Sequence, residues 1–300
     1  MSAAQELEIC VGSDGLTGYC YQNGNVVIEQ KFWDGLPFID GHAAVRVEDK
    51  WGIINSSGVW MVEPRYDEVF NCENVFGTIL VLEEGKWFFC NEYGIPLSRE
   101  YEVASPWYEF ELDGYHARFT ENTWFSVIRK GKWGVVDIND EVKLPFEYEF
   151  TRVLKQNVDG QEKPVSVILK KKGKYAWQRL DAKAATAFEF DTFLGQYIDL
   201  LFFRSGSSTS IINSVTGERL ERGGKNFYTL VNAKDSVGLV NATGDIIVPF
   251  RYQTVNLNKV KNHVVFGQFG QLGLSDLRGN KLLDPIYRDI NDLGTTPSSV

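Results

Sequence analysis

Four cysteines and three histidines are the residues of this 300-residue chain best suited to hold a metal or act as nucleophiles. Their spacing argues against both roles. Cys10, Cys20, Cys72 and Cys90 contain no Cys-x-x-Cys pair, and none of His42, His116 and His263 has a second histidine three to five residues away, so no zinc-ligand set forms in sequence. The glycine-rich segment Gly267–Gly273 lacks the lysine of a phosphate-binding loop and runs into a strand pattern rather than a helix. A Gly-x-Ser-x-Gly nucleophile elbow is also missing. These absences lead us to expect a protein without catalysis, cofactor or metal.

The chemistry that does stand out is recognition. The segment Pro106–His116 sets Trp107 and Tyr108 among Glu109, Glu111 and Asp113, and Asp67, Glu68, Glu83 and Glu84 add carboxylates in turns. Aromatic anchors ringed by acids suit an interface with a basic partner. The net charge of −9 is unevenly spread: residues 1–150 hold 26 acidic and 11 basic side chains, residues 151–300 hold 14 and 20. A field of that kind steers a charged partner. Lys170-Lys171-Lys172-Gly173-Lys174 is a basic run, but its glycine marks it as a turn, and the pI near 5.0 argues against nucleic-acid binding. No apolar run reaches the roughly 18 to 20 residues of a membrane span. The first residues carry neither the basic nor the apolar region of a secretory signal, so a cytoplasmic location is expected.

The elements that must position these residues are repeated. Lys50-Trp51-Gly52-Ile53-Ile54-Asn55 is followed by a turn glycine, Gly58, six residues after Gly52, and by Tyr66 fourteen after it. Gly238 leads to Gly244 and Tyr252, Gly273 to Gly279 and Tyr287, and Gly18 to Gly24 and Phe32 at the same two spacings; Gly134 leads to Tyr148, with Asp140 in place of the turn glycine. Anchors at 18, 52, 88, 134, 176, 210, 238 and 273 give an average step of about 36 residues. The third unit, with Trp87, moves its aromatic residue to Tyr101; the fifth and sixth are worn, and Asp181–Ala187 suggests a short helical turn. Alternating apolar residues around Asn-Gly and Ser-Gly turns read as β-hairpins. Cys20 and Cys90 fall where other units have Ile54, Val136 or Val240, which suits small buried thiols.

Glycine after the tryptophan suits a β-bulge or the close approach of a neighbour, with a tryptophan of the next unit lying over the gap. The proline before the tyrosine is expected to end strand pairing, and the tyrosine to cap the unit with its hydroxyl near water. Trp51, Trp87, Trp133, Gly52, Gly134, Gly238, Gly273, Tyr66, Tyr148, Tyr252 and Tyr287 are therefore expected as structural anchors. One such unit cannot bury its own apolar face, so stability must come from stacked neighbours.

Lys50-Trp51-Gly52, Lys132-Trp133-Gly134, the variants Lys86-Trp87-Phe88 and Lys174-Tyr175-Ala176, and the Pro-x-Tyr ends resemble the WG-repeat proteins (the KWG or WG containing repeat family). That resemblance implies a bacterial, non-catalytic scaffold of β-hairpin repeats, found beside effector, toxin or signalling modules. It transfers no catalytic residue.

The expected fold is all-β, about eight units of three strands in an open superhelix or solenoid, with a closed β-propeller as the alternative. Expected boundaries are a lead-in at 1–14, a single repeat domain at 15–292 and a flexible tail at 293–300. Units fall near 17–49, 50–85, 86–131, 132–173, 174–207, 208–235, 236–270 and 271–292. The expected function is a protein-interaction module, monomeric or in a heterocomplex, that neutralises or chaperones a basic toxin or effector as an immunity protein does. Alternatives are a glycan or envelope binder using Trp and Tyr platforms, and a self-associating scaffold.

Overall fold

The computed structural model describes residues 6–72, 77–104, 111–113, 116–118, 123–158, 161–181, 186–232, 234, 236–257 and 259–290. The expected tail at 293–300 lies outside these, as does most of the expected helical turn at 181–187. Described residues form strands, turns and irregular segments with no helix. The chain divides into two compact units, Met1–Lys171 and Lys172–Val300.

A recurring sheet is built from three strands in sequence. In the second sheet of the first unit, a lead strand His42–Val47 turns tightly into the motif strand Lys50–Asn55, which turns into the return strand Trp60–Tyr66. The short Asp34–Gly35 pairs outside the lead strand. Equivalent antiparallel sheets join Leu7–Val11, Thr17–Tyr21 and Val26–Phe32, and Trp124–Arg129, Lys132–Asp137 and Val142–Tyr148. In the second unit they join Leu200–Ser205, Ser208–Asn213 and Arg219–Leu220, then Phe227–Val231, Val237–Asn241 and Ile246–Tyr252, then His263–Gln268, Gln271–Asp276 and Lys281–Tyr287.

Tandem β-hairpin repeats are thus present, but the sheets are phased one strand earlier than the sequence repeat. The strand that closes a sequence unit hydrogen-bonds to the next motif strand, His42 opposite Asn55 and Val47 opposite Lys50. The reason is local. Glu48 adopts a positive φ of 54°, which makes the tight turn that returns the chain onto the following motif strand. The expected lead-in accordingly contains a strand, Leu7–Val11, that serves the first motif strand.

The motif glycine has a specific steric task. Trp51 pairs with Tyr66 and Ile53 with Val62, so Glu63, Pro64 and Arg65 arch over the single residue Gly52. A Cβ on Gly52 would lie 2.7 Å from the Val62 carbonyl oxygen and 2.9 Å from the Pro64 nitrogen. The same bulge recurs at Gly18, Gly134, Gly238 and Gly273. Proline therefore does not end pairing here. Pro64 and Pro285, second in their bulges, and Pro145 and Pro249, first in theirs, sit where a missing N–H costs no ladder bond, and pairing resumes at the tyrosine. The ring over the glycine is also not a tryptophan from the next unit: Trp60, Phe146 and Phe250 of the unit's own return strand cover Gly52, Gly134 and Gly238. At Phe88 the glycine is lost and so is the return strand, which leaves only bridges from Cys90 to Pro96 and from Trp87 to Tyr101.

Neighbouring sheets meet through the second glycine. A Cβ on Gly58 would touch Ile28, one on Gly94 would touch Val62 and the Tyr66 hydroxyl, and one on Gly279 would touch Ile247, each on the preceding return strand. All three glycines have positive φ. Asp140, at a φ of 63°, takes this place in the fourth repeat, where its carboxylate accepts the Tyr101 hydroxyl and binds Arg99 at 2.8 Å. The cores are continuous across these junctions. Trp51, Ile53, Val62 and Tyr66 pack with Val81, Phe88 and Cys90 of the next sheet.

A further device was not anticipated from the sequence. The last residue of the motif strand holds the turn with its side chain: Asn55 Oδ1 accepts the Ser57 and Val59 amides, both at 3.0 Å. Asn91, Asp137, Asn213, Asn241 and Asp276 repeat this pattern. Short Asn and Asp side chains do this because their oxygen reaches backbone amides two to four residues on.

Candidate functional site: the acidic surface of the first unit

The expected anchors divide by burial. Trp51, Tyr66, Tyr148 and Tyr252 are buried, Trp87 and Trp133 half-buried, and Tyr287 in the last return strand is exposed. Tyr66 corrects one expectation. Its hydroxyl points inward, 3.9 Å from Cys90 Sγ, rather than to water. Burial, then the neighbouring Cys90, raises its pKa well above the usual tyrosine value, and burial pushes the Cys90 thiol up to about 12. Neither group supplies an anion at neutral pH. Cys20 is half-buried rather than buried, and its hydrogen bond with Cys10 leads the causes that raise it to about 11.

The carboxylates expected at the interface also divide. Asp67 is taken internally: it pairs with Lys50 at 2.5 Å and caps the Glu84 amide at 3.1 Å. Glu83 forms a two-pronged pair with Arg65, both bonds 2.7 Å. These two acids are paired across adjacent sheets. Glu68 is half-buried on the strand Glu68–Cys72. Glu84 stands exposed at a turn tip with a φ of 48°.

Trp107, Tyr108 and Glu109 lie outside the described residues. Glu111 and Asp113 belong to a strand, Glu111–Asp113, whose hairpin partner His116–Arg118 runs parallel to Glu68–Cys72 through His116 opposite Asn71. The insertion thus extends the edge of the third sheet instead of forming a free loop at these positions.

Sequence reading missed Glu29 and Glu63, which occupy the same exposed place in the bulges of the first two return strands. It also missed Glu48 and Asp49 at the turn tip before Lys50. None of Glu29, Glu48, Asp49, Glu63 and Glu84 forms an ion pair with a described residue. Only the alignment of return strands could have singled out Glu29 and Glu63. Exposed apolar residues accompany them in this unit: Trp33 is 60% exposed, and Tyr93 and Ile95 stand in the segment where the third return strand is missing. Among the described residues no group of three His, Cys, Asp or Glu side chains converges as a metal site, and no helix is long and apolar enough to cross a membrane.

Sheets of lead, motif and return strands, joined by glycine turns, define a tandem β-hairpin repeat protein. Two of its repeats match the family model described as "WG containing repeat", over residues 18–51 and 51–87. No curated protein matches the sequence. Solved structures resemble the chain only loosely. A eukaryotic initiation factor is 9% identical, with 95% of this chain and 87% of that one covered, at a TM-score of 0.40. Hsv2p of Kluyveromyces lactis is 8% identical over 78% and 88%, at 0.35. PorZ of Porphyromonas gingivalis, a surface component of the type-IX secretion system, is 8% identical over 86% and 38%, at 0.29.

Proposed function

We propose that this chain is a non-catalytic, cytosolic binding module whose acidic N-terminal surface engages a basic protein, in the manner of an immunity protein that neutralises a toxin or effector. The observation that carries this reading is the surplus of unpaired acid. Residues 1–150 hold 26 acidic against 11 basic side chains, and Glu29, Glu48, Asp49, Glu63 and Glu84 are exposed while Asp67 and Glu83 are spent on internal pairs. Excess like charge opposes folding, while a field of one sign steers a partner of the other. The reading is favoured over glycan binding because four of the seven aromatic anchors that a repeated sugar platform would use, Trp51, Tyr66, Tyr148 and Tyr252, are buried.

The test is affinity capture from source cells with quantitative mass spectrometry at two salt concentrations. We expect one enriched protein with a pI above about 9, released as salt rises, because exposed charge pairs are screened over roughly 8–10 Å at physiological ionic strength. Enrichment of an acidic or neutral protein, or capture indifferent to salt, contradicts the proposal.

A further inference from the structure

A cavity of about 200 Å³ opens in the second unit between the last two sheets. Its walls include Val248, Arg251, Tyr252, Phe266, Ser275 and Lys281. Two of these residues depart from the repeat in the same direction.

The first is Ser275. It is 2% exposed, and its hydroxyl has no hydrogen-bond partner among the described residues. The equivalent place holds the buried Ile54, Cys90, Val136, Ile212 and Val240 in five other motif strands, and the half-buried Cys20 and Gln178 in two more. A buried hydroxyl without a partner is costly, so the repeat gives no structural reason for serine here. The smaller side chain also leaves space that isoleucine fills elsewhere.

The second is Arg251. Its counterpart Arg65 is neutralised by Glu83, the lead-strand residue opposite Lys86. At the same register in the last sheet, opposite Gln271, stands the uncharged Gln268. Arg251 lies over the Tyr252 ring at 5.2 Å and donates to the Tyr252 hydroxyl at 3.0 Å, but it forms no ion pair with a described residue. Lys281 adds a second cation, shared with Asp284.

We propose that this cavity binds the carboxylate of a small monocarboxylic acid. The Arg251 guanidinium offers parallel donors that match a carboxylate, the Ser275 hydroxyl donates from the cavity floor, and Val248 and Phe266 take a short apolar chain. The volume suits such a ligand, being below the roughly 300–1,000 Å³ of pockets for drug-sized molecules. An inorganic phosphate offers the charge but nothing to the apolar walls.

Nuclear magnetic resonance titration of the isotope-labelled full chain tests this, with sodium butyrate as the probe and n-butanol and inorganic phosphate in parallel. Butyrate is expected to give saturable shifts centred on the Ser275, Tyr252 and Gly279 amides, while butanol and phosphate give none that saturate. Ser275→Val, which restores the apolar residue type of most other repeats, and Arg251→Gln, at an exposed position, are each expected to weaken butyrate at least tenfold. The second variant keeps the test decisive if the first does not fold. Absence of saturable butyrate shifts, unchanged affinity in the folded variants, or saturation by phosphate at lower concentration than butyrate overturns the assignment.

Discussion

Replacing Gly52 by alanine tests whether the glycine of the motif exists for the bulge. The added Cβ would sit 2.7 Å from the Val62 carbonyl oxygen, 2.9 Å from the Pro64 nitrogen and 2.7 Å from the Trp60 ring. The ring, half-buried, has room to swing, whereas the two backbone atoms belong to the strand that makes the contact. Overpacking a well-packed site costs about 1–3 kcal/mol, and rigid backbone on the far side places this case at the upper end, about 3 kcal/mol. Gly85→Ala is the control. Gly85 has a φ of +74° and open space around it, so only the left-handed conformation is penalised, by about 1–2 kcal/mol. At roughly 2–4 °C per kcal/mol for a unit of this size, Gly52→Ala lowers the melting temperature by about 6–12 °C and the control by about 2–8 °C. Gly134→Ala should be milder than Gly52→Ala, because its nearest backbone atom is 3.1 Å away and its closest neighbour is the movable Phe146 ring. Calorimetry of the three variants gives the ranking. If Gly52→Ala melts at or above Gly85→Ala, the bulge is not what the glycine serves.

Other outcomes follow from the same contacts. Trp51→Ala, at a residue 2% exposed, costs about 3–5 kcal/mol in urea unfolding, whereas Trp33→Ala, at one 60% exposed, stays within about 0.5 kcal/mol. Asn55→Ala removes the acceptor of two turn amides and costs about 1–2 kcal/mol, measured the same way. His42 is buried, and burial lowers its pKa below the usual 6.5 despite the opposing pull of Glu92 and Asp40. Since the unfolded chain then binds more protons than the folded one, stability present above about pH 6.5 is lost as pH falls below that value. Denaturation midpoints of wild type and His42→Gln between pH 5 and 8 should therefore diverge in slope, with the variant flatter.

The residues explain how far sequence reading reached. The six- and fourteen-residue spacings from Gly52 marked strand, turn and strand, because an αL turn and a bulge each admit little but glycine. The phase of the sheets was not legible. Alternation marks His42–Val47 as a strand but not its partner, and the turn that settles it rests on Glu48, a residue with no compositional sign of positive φ. Proline was misread for a related reason: alone it signals the end of a ladder, and only the three-to-one register opposite Gly52 reveals a bulge. For the acidic surface, charge counting picked out the acidic half of the chain but could not separate Asp67 and Glu83, paired with Lys50 and Arg65, from Glu48, Asp49, Glu63 and Glu84, which form no ion pair with a described residue. Their partners are 17 or 18 residues away, across sheets whose stacking no local pattern encodes.

That separation gives the most direct measurement: capture of the proposed basic partner by two variants of equal charge change, compared with wild type. One carries Glu48→Gln, Asp49→Asn, Glu63→Gln and Glu84→Gln, acids without an internal partner. The other carries Asp67→Asn and Glu83→Gln from internal pairs together with Asp137→Asn and Asp140→Asn, whose carboxylates serve a turn and a sheet junction. The first is expected to keep its melting temperature within about 2 °C and to lose capture at least tenfold, while the second melts lower and still captures below its transition. Undiminished capture by the first variant, with loss confined to the second, contradicts the proposal.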